Sequence, residues 1–389
     1  ARAMTSGSSE TGKVRLGLIV NPVAGLGGRV GLKGTDGADV AQRARELGAE
    51  PQAMARARTT LERLLAALPP RLSRPALLCG PRDMGATSAV AAGWPCEVVG
   101  ETADVTSAAD TRRCAEAMAH AGVGVILFAG GDDTARDIHA AVRDTVAVLG
   151  IPAGVKIQSA VFATSPGAAG EAVAQHLAGT GRTVEREVLD LDEDAYRAGR
   201  VQPRLHGILS VPAGRLLQSR KAPTPTSDTA ATESIAAEVE AVLEVGRRYV
   251  LGPGTTTRAV ASRLGLDKTL VGVDGFHVTA DGPRLVARDA SEHDLRTLVA
   301  EGPSSIVLTP IGGQGFLFGR GNQPISPAVI RTVGLEHITV LATPAKLAEL
   351  GGRPMLVDTG DPVLDAELSS YIQVITGRGE RAVVRIEQA

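Results

Sequence analysis

Aromatic residues are scarce, at 2% of the chain. Stacking platforms for single-stranded nucleic acid need aromatics that this sequence lacks. A one-sided basic excess is missing too: the formal net charge is −2, with both signs scattered along the chain. That argues against a nucleic-acid groove. Cysteine is limited to Cys79, Cys96 and Cys114. An odd count without CxxC spacing speaks against a disulfide framework or a zinc site, and no metal-ligating cluster is expected. These three read as small buried hydrophobes in a reducing compartment. No uncharged apolar run reaches the roughly 18–20 residues needed to span a bilayer. Ala1 to Gly12 are small and polar, without the layout of a signal peptide, and read as a disordered tail. A cytoplasmic protein with no membrane partner is expected.

What is abundant is glycine, 46 residues of 389, beside an apolar share of 43%. The apolar share supplies a sizeable core, and the length suits two domains. Many glycines suggest tight turns and close approach of backbone to a ligand. In the first half short apolar strands alternate with helices. Strands are expected at Val14–Val20, Pro75–Cys79, Cys96–Val99, Val123–Phe128 and Val146–Ile151. Helices are expected at Ala38–Leu47, Thr60–Leu68, Thr87–Ala92, Ser107–Ala121 and Thr134–Val142. This alternation implies parallel pairing in an open, doubly wound sheet, with ligands at the carboxyl ends of the strands.

After Gly167 the pattern changes. A helix at Glu171–Ala178 precedes strand-like runs at Val184–Leu191 and Arg204–Val211. Lys221–Thr232 reads as an exposed linker. A helix at Ser234–Val245, a strand at Tyr249–Leu251 and a helix at Arg258–Leu264 follow. Short strands are expected near Leu270–Val273, Leu285–Val286 and Ser305–Leu308. Alternation returns at the end, with strands His337–Ala342 and Met355–Val357 around a helix at Ala345–Leu350. The tail is expected to fold back on the first domain, giving an α/β domain of 13–167 plus 335–389 and a strand-rich domain of 168–334.

Four glycine loops follow strands. The first runs from Asn21 to Gly31 and includes Gly25. Its glycines let backbone N–H groups approach an anion. Gly25, Gly27 and Gly31 approximate a dinucleotide fingerprint with Glu50 about twenty residues on, but Asn21-Pro22 separates strand from glycines, which weighs against hydride-transfer chemistry. The second is Phe128-Ala-Gly-Gly-Asp-Asp-Thr134. Asp132 or Asp133 at a helix start can be a simple N-cap. Capping alone does not call for Gly130-Gly131, however. Room for a phosphate, donation by Thr134 and a carboxylate base or Mg²⁺ ligand at Asp132 is the functional reading. The third is Gly150-Ile-Pro-Ala-Gly154, followed by Lys156, Ser159, Thr164 and Ser165. The fourth is Gly252-Pro-Gly-Thr-Thr-Thr257. Gly254, Thr255, Thr256 and Thr257 there form an anion-binding helix start, and three threonines are a poor choice for helix propensity alone.

Together these motifs resemble the ATP-NAD kinase superfamily, and within it the AcoX-like branch. Further marks are Gly31-Leu-Lys-Gly-Thr-Asp-Gly37, Ser159-Ala-Val-Phe-Ala163, Ile311-Gly-Gly-Gln-Gly315 through Asn322, and Val357-Asp-Thr-Gly-Asp361. The likeness runs from about Val14 to Gly377. It implies an α/β nucleotide-binding domain joined to an all-β domain, in an NAD-kinase-like superfold. It also implies phosphoryl transfer from ATP, with a divalent metal such as Mg²⁺, to a hydroxyl of NAD or a related nucleotide. The resemblance places the catalytic aspartate at Asp132, phosphate binding at Gly130, Gly131 and Thr134, and a nucleotide loop at Gly254 to Thr257. A homodimer or larger homo-oligomer is implied in the same way.

Two departures from the family pattern stand out. Asp133 occupies a position that is normally glycine, where its charge would either join a metal or repel the triphosphate. No Asn-Glu pair for the nicotinamide-side ribose is evident; the nearest acidic cluster, Asp190–Asp194, reads as a solvated turn. A nucleotide-binding regulator without turnover is therefore the second expectation. A lipid kinase fits less well, since no amphipathic basic stretch is present. Arg320 and Asn322 could reach a phosphate or lie in a hairpin. Asp358-Thr-Gly-Asp361 could be a site or a turn. Lys33, Lys156 and Lys221 could meet a triphosphate, and His139 is expected to face solvent.

Overall fold

The computed structural model describes residues 14–30, 44, 46–102, 105–154, 157–179, 181–191, 203–214, 217, 229–311 and 314–389. The expected helix at 38–47, most of the linker at 221–232, and Lys33, Lys156, Lys221 and 192–194 lie largely or wholly outside them.

Five strands build the first sheet: β1 (Arg15–Val20), β2 (Ala76–Cys79), β3 (Cys96–Val98), β4 (Val125–Gly130) and β5 (Ala147–Pro152). Their order is β3-β2-β1-β4-β5 and every pairing is parallel. Five consecutive buried residues in β1 and six in β4 match strands covered on both faces. Five helices accompany them: α1 (Ala53–Ala67), α2 (Ala86–Ala91), α3 (Ala108–His120), α4 (Asp132–Val142) and α5 (Pro166–Ala178). Helix α1 starts before the expected Thr60, because Ala53, Ala57, Leu61 and Leu64 form one buried stripe.

The chain steps from β1 to β2 in one direction and from β3 past β1 to β4 in the other. With right-handed crossovers, α1 and α3 cover opposite faces. An Arg63–Glu171 ion pair links α1 to α5, and Arg112 Nη1 meets Asp137 Oδ1 at 2.7 Å between α3 and α4. The switch point falls between the carboxyl ends of β1 and β4. Register places Val20 opposite Ala129 there, so Asn21 and Gly130 emerge side by side.

Two antiparallel strands, β6 (Thr183–Leu191) and β7 (Pro203–Pro212), pack on α4 and β5. His139 is therefore half-buried rather than solvent-facing. A Cβ on Gly207 would lie 2.2 Å from its Nε2, and its ring centroid is 5.2 Å from that of His206. Partial burial and His206 hold its pKa below the usual imidazole value.

The second sheet has nine strands: β8 (Arg248–Leu251), β9 (Asp274–Thr279), β10 (Gly282–Ala287), β11 (Ser304–Leu308), β12 (Phe316–Phe318), β13 (Ile338–Leu341), β14 (Met355–Val357), β15 (Tyr371–Gly377) and β16 (Glu380–Gln388). The order is β10-β9-β8-β11-β13-β15-β16-β14-β12. This domain is strand-rich, as expected, and its helices are α6 (Thr229–Ala241), α7 (Thr255–Arg263), α8 (Glu292–Ala300), α9 (Pro327–Val333), α10 (Pro344–Leu350) and α11 (Pro362–Leu368) among the described residues.

Three expectations are corrected here. Residues 335–389 do not return to the first sheet: β13 to β16 all join the second, because Val340 and Leu341 pair with Val374 and Ile375, and Met355 to Val357 pair with Ile386 to Gln388. The first domain also extends past Gly167, since α5 and the β6–β7 hairpin pack on it. Residues 270–273 form no strand; a buried Lys268–Asp274 pair at 3.0 Å closes that turn and β9 begins at Asp274. No described helix is long and apolar enough to cross a membrane.

Candidate functional site

The site grows from the ends of β1 and β4. Asn21 N donates to Ala129 O at 2.9 Å. Its Nδ2 donates to Thr134 Oγ1 at 3.1 Å, and its Oδ1 accepts from Val23 N at 3.2 Å. One side chain thus shapes the start of the first loop and holds the second. Gly130 must lack a side chain, because a Cβ would lie 2.2 Å from Thr134 Oγ1. Gly130 O accepts from Ala153 N and Gly154 N, both at 3.0 Å, which ties the third loop to the second. Gly25, at φ +79°, closes the set: a Cβ there would lie 2.2 Å from Ala153 O.

Asp132 sits in the first turn of α4 and is buried. It does not cap its own helix; Gly131 occupies the N-cap. Instead Asp132 Oδ2 accepts from Gln158 N at 2.8 Å and Oδ1 accepts from Ser159 N at 2.9 Å. Burial raises its pKa to about 6, opposed by the bonds from Ser159 and Gln158, with a further upward push from Asp133. Gln158 Oε1 is buried without a hydrogen-bond partner among the described residues. Ser159 Oγ accepts from Leu189 N at 2.8 Å, so the hairpin pins this segment from behind.

Asp133 points elsewhere. Its side chain is 48% exposed and pairs with Arg136 on the same helix. It has helical backbone, so the position needs no glycine-like conformation.

The fourth loop hydrogen-bonds within the second domain. Gly254, at φ +124°, donates from its N to Leu270 O at 2.8 Å. Thr257 Oγ1 donates to Gly252 O at 2.7 Å. Lys346 Nζ donates to Thr256 Oγ1 at 3.2 Å and to Thr309 Oγ1 at 2.9 Å. Thr255 is exposed.

What the second domain presents to the first three loops is the end of β12 and β14. Arg320 Nη1 donates to Asp358 Oδ2 at 2.7 Å, and Arg56 Nη1, from α1, donates to the same oxygen at 2.8 Å. These two guanidinium groups hold the Asp358 carboxyl below the usual range against its burial. Arg320 Nη2 reaches Thr164 O at 2.8 Å, Gln314 Nε2 reaches Ile157 O at 2.9 Å, and Glu292 N donates to Arg29 O at 2.8 Å. An open cleft between the domains is lined by Gly25, Gly28, Arg29, Arg56, Arg320 and Asp358, among others.

Sequence reasoning missed Arg56, one arginine among several on an amphipathic helix. Of the paired candidates, Arg320 lines the cleft while Asn322 is spent inside its turn, accepting from Gly319 N at 3.0 Å and donating to Leu317 O at 2.8 Å. Likewise Asp358 faces the cleft, whereas Asp361 caps α11 and pairs with Arg331 at 3.1 Å.

A doubly wound domain with a buried aspartate and glycine loops at its switch point, clasped to a second α/β sheet, defines a two-domain nucleotide-handling fold. Residues 16–180 match the ATP-NAD kinase N-terminal domain, and residues 246–386 match the ATP-NAD kinase C-terminal domain. The chain thus carries, in order, both domains of an ATP-NAD kinase. Comparison with curated proteins and with solved structures found no match.

Proposed function

We propose that this protein is a phosphotransferase that moves a phosphoryl group from ATP to a hydroxyl of NAD or a related nucleotide, with Asp132 as the base. The observation that carries this reading is the placement of Asp132. It is the buried carboxylate at the switch point, fixed through both oxygens by backbone N–H groups. Each carboxylate oxygen retains a second lone pair for an acceptor hydroxyl. A pKa of about 6 keeps it ionised at neutral pH yet basic enough to take a proton. Phosphoryl transfer otherwise needs positioning and electrostatic stabilisation. Glycine loops, the Asn21–Thr134 link and the two family matches support that role.

A divalent ion held by the protein itself does not fit the donors present. No group of three His, Cys, Asp or Glu side chains is placed to hold one among the described residues. Mg²⁺ belongs to this proposal only as the partner of the ATP phosphates. The AcoX-like placement and the homo-oligomer are kept as parts of it.

The second reading, a nucleotide-binding regulator without turnover, rests on Asp133 and on the absence of an evident Asn-Glu pair for the nicotinamide-side ribose. The half-exposed, Arg136-paired side chain of Asp133 weakens the first ground and leaves the second standing. The deciding experiment incubates the full chain with ATP, Mg²⁺ and a nucleotide panel and reads products by mass spectrometry. A phosphorylated NAD or nucleotide that disappears with Asp132→Asn supports the kinase. Nucleotide binding without any product supports the regulator.

A further inference from the structure

We infer that the interdomain cleft bounded by Arg29, Arg56 and Arg320 is a binding subsite for a phosphate group of the ligand, separate from the Asp132 centre. It rests on the nucleotide reading only for the molecule that carries the phosphate. Binding itself is testable without turnover.

Charge is the first argument. Two guanidinium groups from different domains converge on one oxygen, Oδ2 of Asp358. One carboxylate cannot neutralise two cations, and Arg29 on the rim adds a third. Among the described residues, Asp358 is the acid that lines this cleft. Asp365 lies behind it, accepting from Thr359 N at 3.0 Å and from Thr359 Oγ1 at 2.7 Å. Glu292 meets Arg29 through its backbone N–H. Arg29 is exposed and solvated, but Arg56 and Arg320 against one carboxylate leave a desolvated positive excess, which is costly unless an anion joins it.

Unmet donor capacity is the second argument. Arg320 is 4% exposed, yet its Nε has no hydrogen-bond partner among the described residues. A guanidinium has five N–H donors in a fixed fork, a shape that suits phosphate oxygens. The fork is held in place: its Cζ stands 4.5 Å from the centre of the Phe316 ring, and Nη2 is anchored on Thr164 O.

The third argument is construction. Gly319 adopts φ +89°, and a Cβ there would lie 1.8 Å from Asp358 O. Any side chain would push β12 and β14 apart and separate Arg320 from Asp358. On the opposite wall Gly25 and Gly28 pack closely, their missing Cβ atoms falling 2.2 Å from Ala153 O and 3.3 Å from Gln323 Cβ, so that wall too is fixed in place. A clasp that only joined the domains would need neither the spare Nε nor an excess cation.

The test measures inorganic pyrophosphate binding to the full chain by calorimetry, with ATP, NAD and adenosine as competitors. Arg56→Gln is expected to weaken binding by about ten-fold or more, the effect of losing one charge-assisted hydrogen bond. Arg29→Gln should weaken it a few-fold. ATP or NAD should displace pyrophosphate and adenosine should not. Arg320→Lys keeps the charge but loses the fork and should also bind more weakly. If that variant fails to fold, Arg56→Gln and Arg29→Gln, checked by thermal melting, decide the matter. Absence of pyrophosphate binding overturns the inference. So does unchanged affinity in Arg56→Gln with a lowered Tm, which would make the cluster a domain clasp. Asp132→Asn should keep pyrophosphate affinity; if it alone abolishes binding, the anion sits at the Gly130 loop and the subsite is wrong while the kinase reading stands. If pyrophosphate binds as expected but no nucleotide is phosphorylated, the subsite stands and the kinase reading fails.

Discussion

Asn21 Nδ2 donates to Thr134 Oγ1 across 113 residues of sequence, joining the loop after β1 to the helix after β4. The two residues straddle the switch point, so this bond ties together two glycine loops that the β1–β4 register already brings side by side. Asn21→Ala is expected to cost about 1–2 kcal/mol, the net worth of a partly buried hydrogen bond plus its unmet partner. In a double-mutant cycle with Thr134→Val the coupling should be about 0.5–1.5 kcal/mol, read from denaturant melts. Strict additivity would mean that the bond contributes nothing.

Asp132→Asn should lower turnover by about 10²–10⁴-fold, the range for loss of a general base. ATP and NAD affinity should change little, because the carboxylate acts mainly on the developing alkoxide. In the wild-type protein kcat/KM should fall below an acid limb near the Asp132 pKa of about 6. An activity flat from pH 5 to 8 would remove Asp132 from the rate-determining protonation.

The same carboxyl leaves a mark on stability. Its pKa rises from the ordinary 3.8 to about 6 on folding. Between those values the native state keeps a proton that the unfolded chain has released. Stability from this group is therefore greatest at low pH, falls as pH rises from about 4 to 6, and is level above that. The loss is at most about 3 kcal/mol. Chemical unfolding across this window, wild type minus Asp132→Asn, should show the slope; parallel curves would contradict the burial of a titrating Asp132.

Asp133→Gly tests the position where this chain leaves its family. The half-exposed side chain is engaged by Arg136, so metal-free ATP affinity should stay within about two-fold, as for a solvated ion pair. Stability should drop by about 1 kcal/mol through glycine in a helix and loss of an acid near its N-terminus. Several-fold tighter metal-free ATP binding would show that the charge does act on the triphosphate.

Gly25→Ala should be among the more damaging single substitutions. The residue is at φ +79° and its Cβ would meet Ala153 O at 2.2 Å. A loss of at least about 2 kcal/mol is expected from strain and displacement of the third loop. A Tm within a degree of wild type would mean that the first and third loops are not interlocked.

The parallel first sheet was legible because strands buried on both faces write themselves as continuous apolar runs, and the five expected strands match β1 to β5 within a few residues. The glycine loops were legible because close backbone approach leaves no alternative residue. The return of the tail was misread for a physical reason. Strand and helix alternation fixes the local unit, not which sheet it joins, and β13 to β16 found partners in the second sheet.

By itself, then, the sequence determined the α/β alternation, the loops at strand ends and Asp132 at the head of its helix, since each follows from local periodicity and backbone sterics. Only the tertiary structure decided what those groups face. It turned Asp132 from a helix cap into a carboxylate held by Gln158 and Ser159, and turned Asp133 outward. It also brought Arg56 and Arg320, 264 positions apart, onto one oxygen of Asp358. Contacts between residues so distant in the chain depend on how separately folded layers dock, and no local pattern encodes that docking.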